Sequence, residues 1–360
     1  MKIFVVCNSL GAGGAERVGV NLANGFANHG HDVYIITDIF QDAAYPVDEK
    51  VKVLPMITEK CGKMKKYVRI IQGIRKYAKR YQPNVVIGMM HLPSLLARIS
   101  LLNMGIPVVL TIHNALQTVP SYNPGWITKL SDRYLSKIYR KVTVLSLVDK
   151  ALLGENDDRI VVMPNPLTFK AIKVLPKKEK VIFSAGRLDA WNYKGWDLLI
   201  KAWGLIAHKF PDWKIELAGN GSAETKCFLE KMMKTYHVEN QLFLLGYQKD
   251  MLPLYQKASV FLLSSRSEGL PMVLIEAMSQ GCAPVACSNL GRTKEIIISE
   301  KEGLIYETEN VEAMAKALEK VISDSDLRAQ MQMAAIERSK FYSIDNIVNS
   351  WQGLFDSLKI

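Results

Sequence analysis

Short apolar runs alternate with longer helical patterns along the whole chain. The runs cover 3–7, 33–37, 51–54, 85–89, 108–112, 142–145 and 160–163, then 181–185, 214–218, 242–245, 260–263, 283–286 and 303–306. They are apolar throughout instead of alternating with polar residues, which suits parallel strands covered on both faces. Helical patterns at 15–28, 196–209 and 223–236 fill intervals between them. Strand–helix alternation on this scale predicts an α/β protein with parallel sheets. The series restarts: the run at 3–7 leads into glycines and a helix, and the run at 181–185 leads into Gly186, Arg187 and later a helix. A chain of 360 residues is long enough for two domains, at roughly 150 residues each. Pro164, Pro166 and the stretch 173–180 with Pro176 read as the connector. The predicted domains are therefore 1–168 and 169–343.

In open parallel sheets, ligands sit beyond the carboxyl ends of strands, at helix N-termini. Two segments there carry chemistry. The first is Asn8-Ser9-Leu10-Gly11-Ala12-Gly13-Gly14-Ala15-Glu16. Its glycines let the backbone approach an anion, whose charge the helix N-terminus favours. A dinucleotide fingerprint would need glycine where Glu16 stands, although Asp38 sits about where a ribose-binding acid would. The segment therefore reads as a ligand loop, as half of an NAD(P) oxidoreductase site, or as a tight strand–helix turn.

The second segment is Ser264-Ser265-Arg266-Ser267-Glu268-Gly269-Leu270-Pro271-Met272-Val273-Leu274-Ile275-Glu276-Ala277. Glu268 falls in the loop and Glu276 in the second turn of the following helix. Both carboxylates can border one cavity and accept hydrogen bonds from the hydroxyls of a ribose or hexose. An acid near a helix start also complements the dipole, so it is the spacing E-G-L-P-x-x-x-x-E that carries the signal.

Charge is unevenly placed. The net charge is +11, and no acidic residue occurs between Glu59 and Asp132. That interval holds eleven cations, nine of them between Lys60 and Arg80. There Val68, Ile71, Ile74 and Tyr77 step by three along one helical stripe, with Lys63, Lys66, Arg69 and Arg80 free to project elsewhere. A basic amphipathic helix suits an anionic membrane surface; the same pattern also suits an outer helix with its stripe in the core. No nucleic-acid-binding signature accompanies the charge, and no nucleic acid partner is expected. Cys7, Cys61, Cys227, Cys282 and Cys287 form no C-x-x-C pair and read as reduced thiols. No signal peptide and no apolar run of ~18–20 residues is evident, so a cytoplasmic protein is expected.

Taken together, the E-x7-E segment, the N-terminal G-A-G-G-A-E and the Gly186-Arg187-Leu188…Lys194-Gly195 element resemble the family 4 retaining glycosyltransferases, over nearly the whole chain. Among these, the sequence is most similar to bacterial enzymes of capsular, exopolysaccharide or lipid-linked oligosaccharide synthesis. The resemblance implies the GT-B architecture, two Rossmann-like domains facing across a cleft, with a last helix at 344–360 crossing back to the first. It implies a nucleotide-diphosphate sugar as co-substrate, UDP by default, no required metal or other cofactor, and a glycan or polyprenyl-diphosphate-linked acceptor. It places Glu276 on the nucleotide ribose and Glu268 on the transferred sugar, with Gly269, Leu270 and Pro271 beside them. Arg187 and Lys194 would neutralise the diphosphate, and His113 would bond a donor-sugar hydroxyl, although a lone histidine at a strand end is otherwise often structural. Gly13, Gly14, Gly219 and Tyr247 would lie near the nucleotide. A non-catalytic sugar-nucleotide-binding protein on the same fold remains a further reading.

Two features depart from the family pattern. Arg187 and Lys194 are seven apart where many relatives have about five, which leaves the approach of Lys194 to the site open. Leu290-Gly291 supplies one glycine where many relatives have two. The sole D-x-D, Asp324-Ser325-Asp326, precedes a helical pattern and reads as a cap rather than a metal site. No Asp or Glu is marked as a nucleophile beneath the sugar, which favours front-face attack over a covalent intermediate.

Overall fold

The computed structural model of the protein describes residues 1–11, 13–38, 43–57, 62–116, 134 and 136–358, and at 63 and 64 the backbone alone. Lys60, Cys61, Lys129 and Asp132 lie outside the described residues. The chain divides into two compact units. One takes in the described residues of Met1–Leu116, Pro124–Pro166 and Ile344–Ile360; the other those of Leu167–Ser343.

In the first unit, β1 (Lys2–Val6), β2 (Asp32–Thr37), β3 (Lys52–Pro55), β4 (Val85–Met89), β5 (Val108–Thr111), β6 (Lys141–Val144) and β7 (Ile160–Val162) form a sheet in the order β3-β2-β1-β4-β5-β6-β7. In the second, β8 (Glu179–Ala185), β9 (Lys214–Ala218), β10 (Leu242–Gly246), β11 (Ala258–Leu263), β12 (Ala283–Cys287) and β13 (Leu304–Tyr306) are ordered β10-β9-β8-β11-β12-β13. Neighbouring strands are parallel throughout, as in β1 with β4 and β8 with β11. Each apolar run of the sequence is one of these strands. Both sheets share the 3-2-1-4-5-6 winding, which reverses direction between the first and fourth strands and opens a crevice at that switch point.

Helices α1 (Gly14–Asn28), α2 (Lys63–Tyr81), α3 (His91–Ser100) and α4 (Leu147–Gly154) belong to the first unit. The second contains α5 (Trp191–Lys194), α6 (Trp196–Ile206), α7 (Ala223–Thr235), α8 (Leu252–Lys257), α9 (Met272–Ser279), α10 (Val311–Ser323) and α11 (Ser325–Ser339). Finally α12 (Ile344–Ser357) returns to the first unit. Alternate residues of β1 serve opposite faces. Ile3 and Val5 pack with Phe26 of α1 and Trp351 and Phe355 of α12. Phe4 and Val6 pack with Ile70, Ile74 and Ala78 of α2 and Leu96 and Ala97 of α3. The α1–α12 contact is close: a Cβ on Gly25 would lie 2.6 Å from Ile344 Cδ1.

The register of α2 differs from the sequence expectation. Of the expected stripe, Ile74 is buried and Ile71 and Tyr77 pack partly buried against the same core, but Val68 is 51% exposed and the fully buried line is Ile70, Ile74 and Ala78. At 3.6 residues per turn, steps of four and of three drift in opposite senses around the helix, and here the step of four lies against the sheet. The connector also departs from a loose linker. Asn165 and Leu167 are buried, and the Leu167 N–H donates to Tyr342 O at 2.7 Å. Asp324 caps α11, accepting from Asp326 N at 3.1 Å and Leu327 N at 2.9 Å. Among the described residues no helix is long and apolar enough to cross a membrane.

Candidate functional site

The loops leaving β8 and β11 flank the switch point of the second sheet, and their backbones are stitched together. The Arg266 N–H donates to Tyr193 O at 2.9 Å, and Ser264 Oγ donates to Lys194 O at 2.9 Å. Gly195 adopts φ +69°, and a Cβ there would stand 2.0 Å from Ser264 O, so both conformation and space require glycine. The residues that lengthen the Arg187–Lys194 interval form a short 3-10 turn and α5. Arg266 holds this insertion in place. Its guanidinium forks onto Asp197 at 2.8 and 2.8 Å and donates to Glu309 at 2.6 Å and Asn192 O at 2.5 Å. The Asp197 hydrogen bonds push the Arg266 pKa above its ordinary value.

This arrangement brings Lys194 to Glu268. Lys194 Nζ donates to Glu268 Oε1 at 2.6 Å, and Ser265 Oγ donates to the same oxygen at 2.7 Å. The two charged side chains are only 18% and 12% exposed. Asn289 clamps the Glu268 backbone from the other side, accepting from its N–H at 2.9 Å and donating to its carbonyl at 3.0 Å. Asn289, Leu290 and Gly291 all have positive φ, at 46°, 55° and 95°. Asn and Gly tolerate that region; for leucine it costs roughly 1–2 kcal/mol. The one-glycine departure is thus accommodated by a left-handed Leu290.

Glu276 is 1% exposed. Thr168 Oγ1 donates to its Oε1 at 2.9 Å and Tyr255 OH to its Oε2 at 3.0 Å. One donor on each oxygen fixes the plane of the carboxylate. Pro271 occupies the N-cap of α9, one residue ahead of the first helical position, and no side chain caps that end. Gly269 and Leu270 lead into it. An uncapped N-terminus presents backbone N–H groups and partial positive charge to an anion. Arg187, at the end of β8, is exposed and makes no hydrogen bond or salt bridge through its guanidinium among the described residues.

The adjoining loops complete this end of the sheet. A Cβ on Gly219 would lie 1.8 Å from Gly186 O. The Gly219 N–H donates to Gly246 O at 2.8 Å and the Leu188 N–H to Asn220 O at 2.7 Å. Gly219 is therefore demanded by backbone contact between loops. Tyr247 follows β10 and is 69% exposed.

The first unit carries the remaining candidates. Gly13 caps α1 in extended conformation. A Cβ on Gly13 would lie 2.1 Å from Glu16 Oε2, whereas a Cβ on Gly14 would meet nothing within 4 Å. The Glu16 carboxylate lies where a dinucleotide loop needs glycine, and Asp38 pairs with Lys66 at 3.3 Å; neither supports dinucleotide binding. His113 follows β5, its Nδ1 2.9 Å from Asn165 Oδ1 and its Nε2 2.9 Å from Thr111 Oγ1. Burial lowers its pKa to about 4, partly opposed by the Asn165 bond, so the ring is neutral near pH 7. Burial pushes the Cys7 and Cys287 thiols up to about 12 and Cys282 to about 11. Among the described residues no group of three or more His, Cys, Asp or Glu is placed to hold a metal ion.

Sequence reasoning missed Thr168, Tyr255 and Asn289. All three act across long sequence separations and belong to no local motif. Ser265 and Arg266 stand inside the quoted E-x7-E segment, and their adjacency to Glu268 was the available signal.

Residues 167–338 match the family described as Glycosyl transferases group 1, and residues 12–168 match Glycosyltransferase Family 4. An uncharacterized glycosyltransferase of Haemophilus influenzae is 30% identical over 98% of this chain and 98% of its own. A Campylobacter jejuni alpha-1,4-N-acetyl-D-galactosaminyltransferase, named for a diNAcBac-PP-undecaprenol-linked acceptor, is 26% identical over 100% of this chain and 99% of its own. In fold, a Rickettsia africae glycosyltransferase superposes with TM-score 0.81 at 19% identity, covering 99% of this chain and 98% of that one. Anabaena HepE, solved with UDP and glucose, gives 0.79 at 17% identity over 99% and 100%. A full-length relative at this identity, with both halves matched by glycosyltransferase families, settles the assignment: the chain belongs to the family 4 glycosyltransferases and has the GT-B fold of two Rossmann-like domains.

Proposed function

We propose that the protein transfers a hexose or N-acetylhexosamine, with retention of anomeric configuration, from a nucleoside-diphosphate sugar to a glycan or polyprenyl-diphosphate-linked acceptor in surface polysaccharide synthesis. The observation that carries this is the placement of the Lys194–Glu268 pair at the switch point of the second sheet, where the buried Glu276 also stands. UDP is the default nucleotide, supported by the HepE complex. The names of the Campylobacter enzyme and of an Erwinia amylovora amylovoran-biosynthesis glycosyltransferase support the acceptor class.

In this reading Glu276 receives the ribose hydroxyls, and Glu268 orients the sugar. Arg187, Lys194 and the uncapped start of α9, with Gly269, Leu270 and Pro271, receive the diphosphate. Negative charge grows on that group as the anomeric carbon–oxygen bond breaks, so fixed cations stabilise the transition state more than the ground state. Glu268 already spends one oxygen on Lys194 and Ser265, which fits an orienting group better than a nucleophile. A front-face path then needs no enzyme carboxylate. The acceptor oxygen bonds the anomeric carbon on the side the diphosphate leaves, and its proton passes to the departing phosphate oxygen. The same proposal assigns α2 to an anionic membrane surface. Lys65, Lys76, Lys79 and Arg80 are exposed along it, and Tyr67 and Val68 add exposed apolar area.

The test is a panel of nucleotide sugars with a polyprenyl-diphosphate-linked acceptor, the product anomer read by NMR. Transfer with the donor's configuration kept is expected. An inverted product refutes the front-face path, and no transfer or hydrolysis from any donor refutes the reading.

A further inference from the structure

The segment that carries the chain from the first unit to the second is Asn165-Pro166-Leu167-Thr168. Its end side chains bond Glu276, to which the proposed function gives the ribose hydroxyls, and His113, to which the family resemblance gives a donor-sugar hydroxyl. Asn165 Oδ1 lies 2.9 Å from His113 Nδ1, 52 residues away. Thr168 Oγ1 lies 2.9 Å from Glu276 Oε1, 108 residues away. The first bond lies within the first unit and the second within the second. We infer that this crossover is a positioning element, with Asn165 orienting His113 and Thr168 orienting Glu276; the inference rests on the donor-site reading above.

The segment has the rigidity such a role needs. Asn165, Pro166 and Leu167 are buried, and Pro166 has its φ fixed by the ring. The Leu167 N–H is held by Tyr342 O at 2.7 Å. Tyr342 is itself buried, and its hydroxyl donates to Glu295 O at 3.2 Å. Residue 342 lies just before Ile344, where the chain returns to the first unit, so one backbone bond ties the outgoing and returning segments together. At Glu276 the Thr168 hydroxyl and the Tyr255 hydroxyl grip opposite oxygens. A desolvated carboxylate requires such donors, and two of them on opposite oxygens fix its plane. At His113 a neutral imidazole has one N–H. With Asn165 Oδ1 as acceptor, that proton sits on Nδ1 and leaves Nε2 unprotonated 2.9 Å from Thr111 Oγ1, whose one hydroxyl proton is also within reach of the Gly88 carbonyl at 3.0 Å.

The experiment has two arms on the full chain. In the first, UDP is titrated calorimetrically into wild type, Thr168→Val, Thr168→Ser and Glu276→Ala. Thr168→Val keeps the shape and removes the donor; about fivefold to tenfold weaker UDP binding is expected, with Thr168→Ser restoring it at an unchanged melting temperature. Wild-type affinity in Thr168→Val beside a weakened Glu276→Ala overturns the positioning role alone. Wild-type affinity in Glu276→Ala overturns the donor-site reading and the Thr168 role with it. The second arm is independent of the donor. The ¹⁵N shifts of labelled histidine report the tautomer and titration of His113 in wild type, Asn165→Ala and Asn165→Asp. A single Nδ1–H tautomer is expected in wild type, mixed tautomers in Asn165→Ala, and a pKa raised by more than one unit in Asn165→Asp. Unaltered tautomer and titration in both variants overturn the Asn165 role.

Discussion

Lys194 Nζ and Glu268 Oε1 stand 2.6 Å apart although 74 residues separate them in sequence. Both side chains are largely shielded, so removing one leaves the other charge poorly solvated. Lys194→Met is expected to lower turnover about 100-fold, the scale of losing one preorganised stabiliser of transition-state charge. In a double-mutant cycle with Glu268→Gln, measured by thermal unfolding, the pair should show a coupling of about 1–3 kcal/mol. Additive effects would mean that the pair contributes nothing as a pair.

The glycines give opposite expectations. At Gly219 an added Cβ would lie 1.8 Å from a carbonyl oxygen, and at Gly14 it would meet nothing. Gly219→Ala should lower the melting temperature steeply. Gly14→Ala should leave it unchanged or raise it, since alanine is the better helix former by about 1 kcal/mol. If Gly14 lies against the nucleotide, as the family resemblance implies, Gly14→Ala loses activity while it keeps its stability. A stable Gly219→Ala would show that the loops after β8 and β9 do not touch as described.

Leu290 has φ 55° and ψ 30° and is partly exposed. Leu290→Gly removes left-handed strain of roughly 1–2 kcal/mol and adds unfolded-chain entropy worth about 0.5–1 kcal/mol. A small net stabilisation is expected in denaturant unfolding. Leu290→Val, branched at Cβ, should destabilise. The reverse order would place Leu290 outside the left-handed region.

The architecture was legible because apolar runs and helical periods are local, and thirteen of them in alternation admit few folds. The E-x7-E segment was legible for the same reason. What could not be read is contact across the sheet. Asn289 reaches Glu268 over 21 residues and Thr168 reaches Glu276 over 108, and no local pattern links them. The stripe of α2 was legible only in part for a different reason: over so short a stretch, steps of three and of four both fit, and packing against Phe4 and Val6 keeps Ile71, Ile74 and Tyr77 against the core but leaves Val68 exposed.

His113 makes stability depend on pH. Its folded pKa, about 4, lies below the ordinary 6.5. The unfolded chain therefore binds the proton first. The contribution of His113 is complete above about pH 6.5 and is lost as pH falls toward 4, at up to about 1.4 kcal/mol per pH unit. Burial lowers the His31 pKa in the same sense, so the test is the difference between wild type and His113→Asn. The variant should show a shallower loss of stability between pH 6.5 and 4. Parallel curves would mean that His113 is not held neutral.

The most direct test of the central claim is calorimetric titration of UDP into wild type and a folded Glu276→Ala variant. The nucleotide site assigned to the loops after β8 and β11 predicts saturable binding by wild type and at least tenfold weaker binding by the variant, consistent with the loss of hydrogen bonds to a charged group. Equal affinity in the two proteins would contradict it.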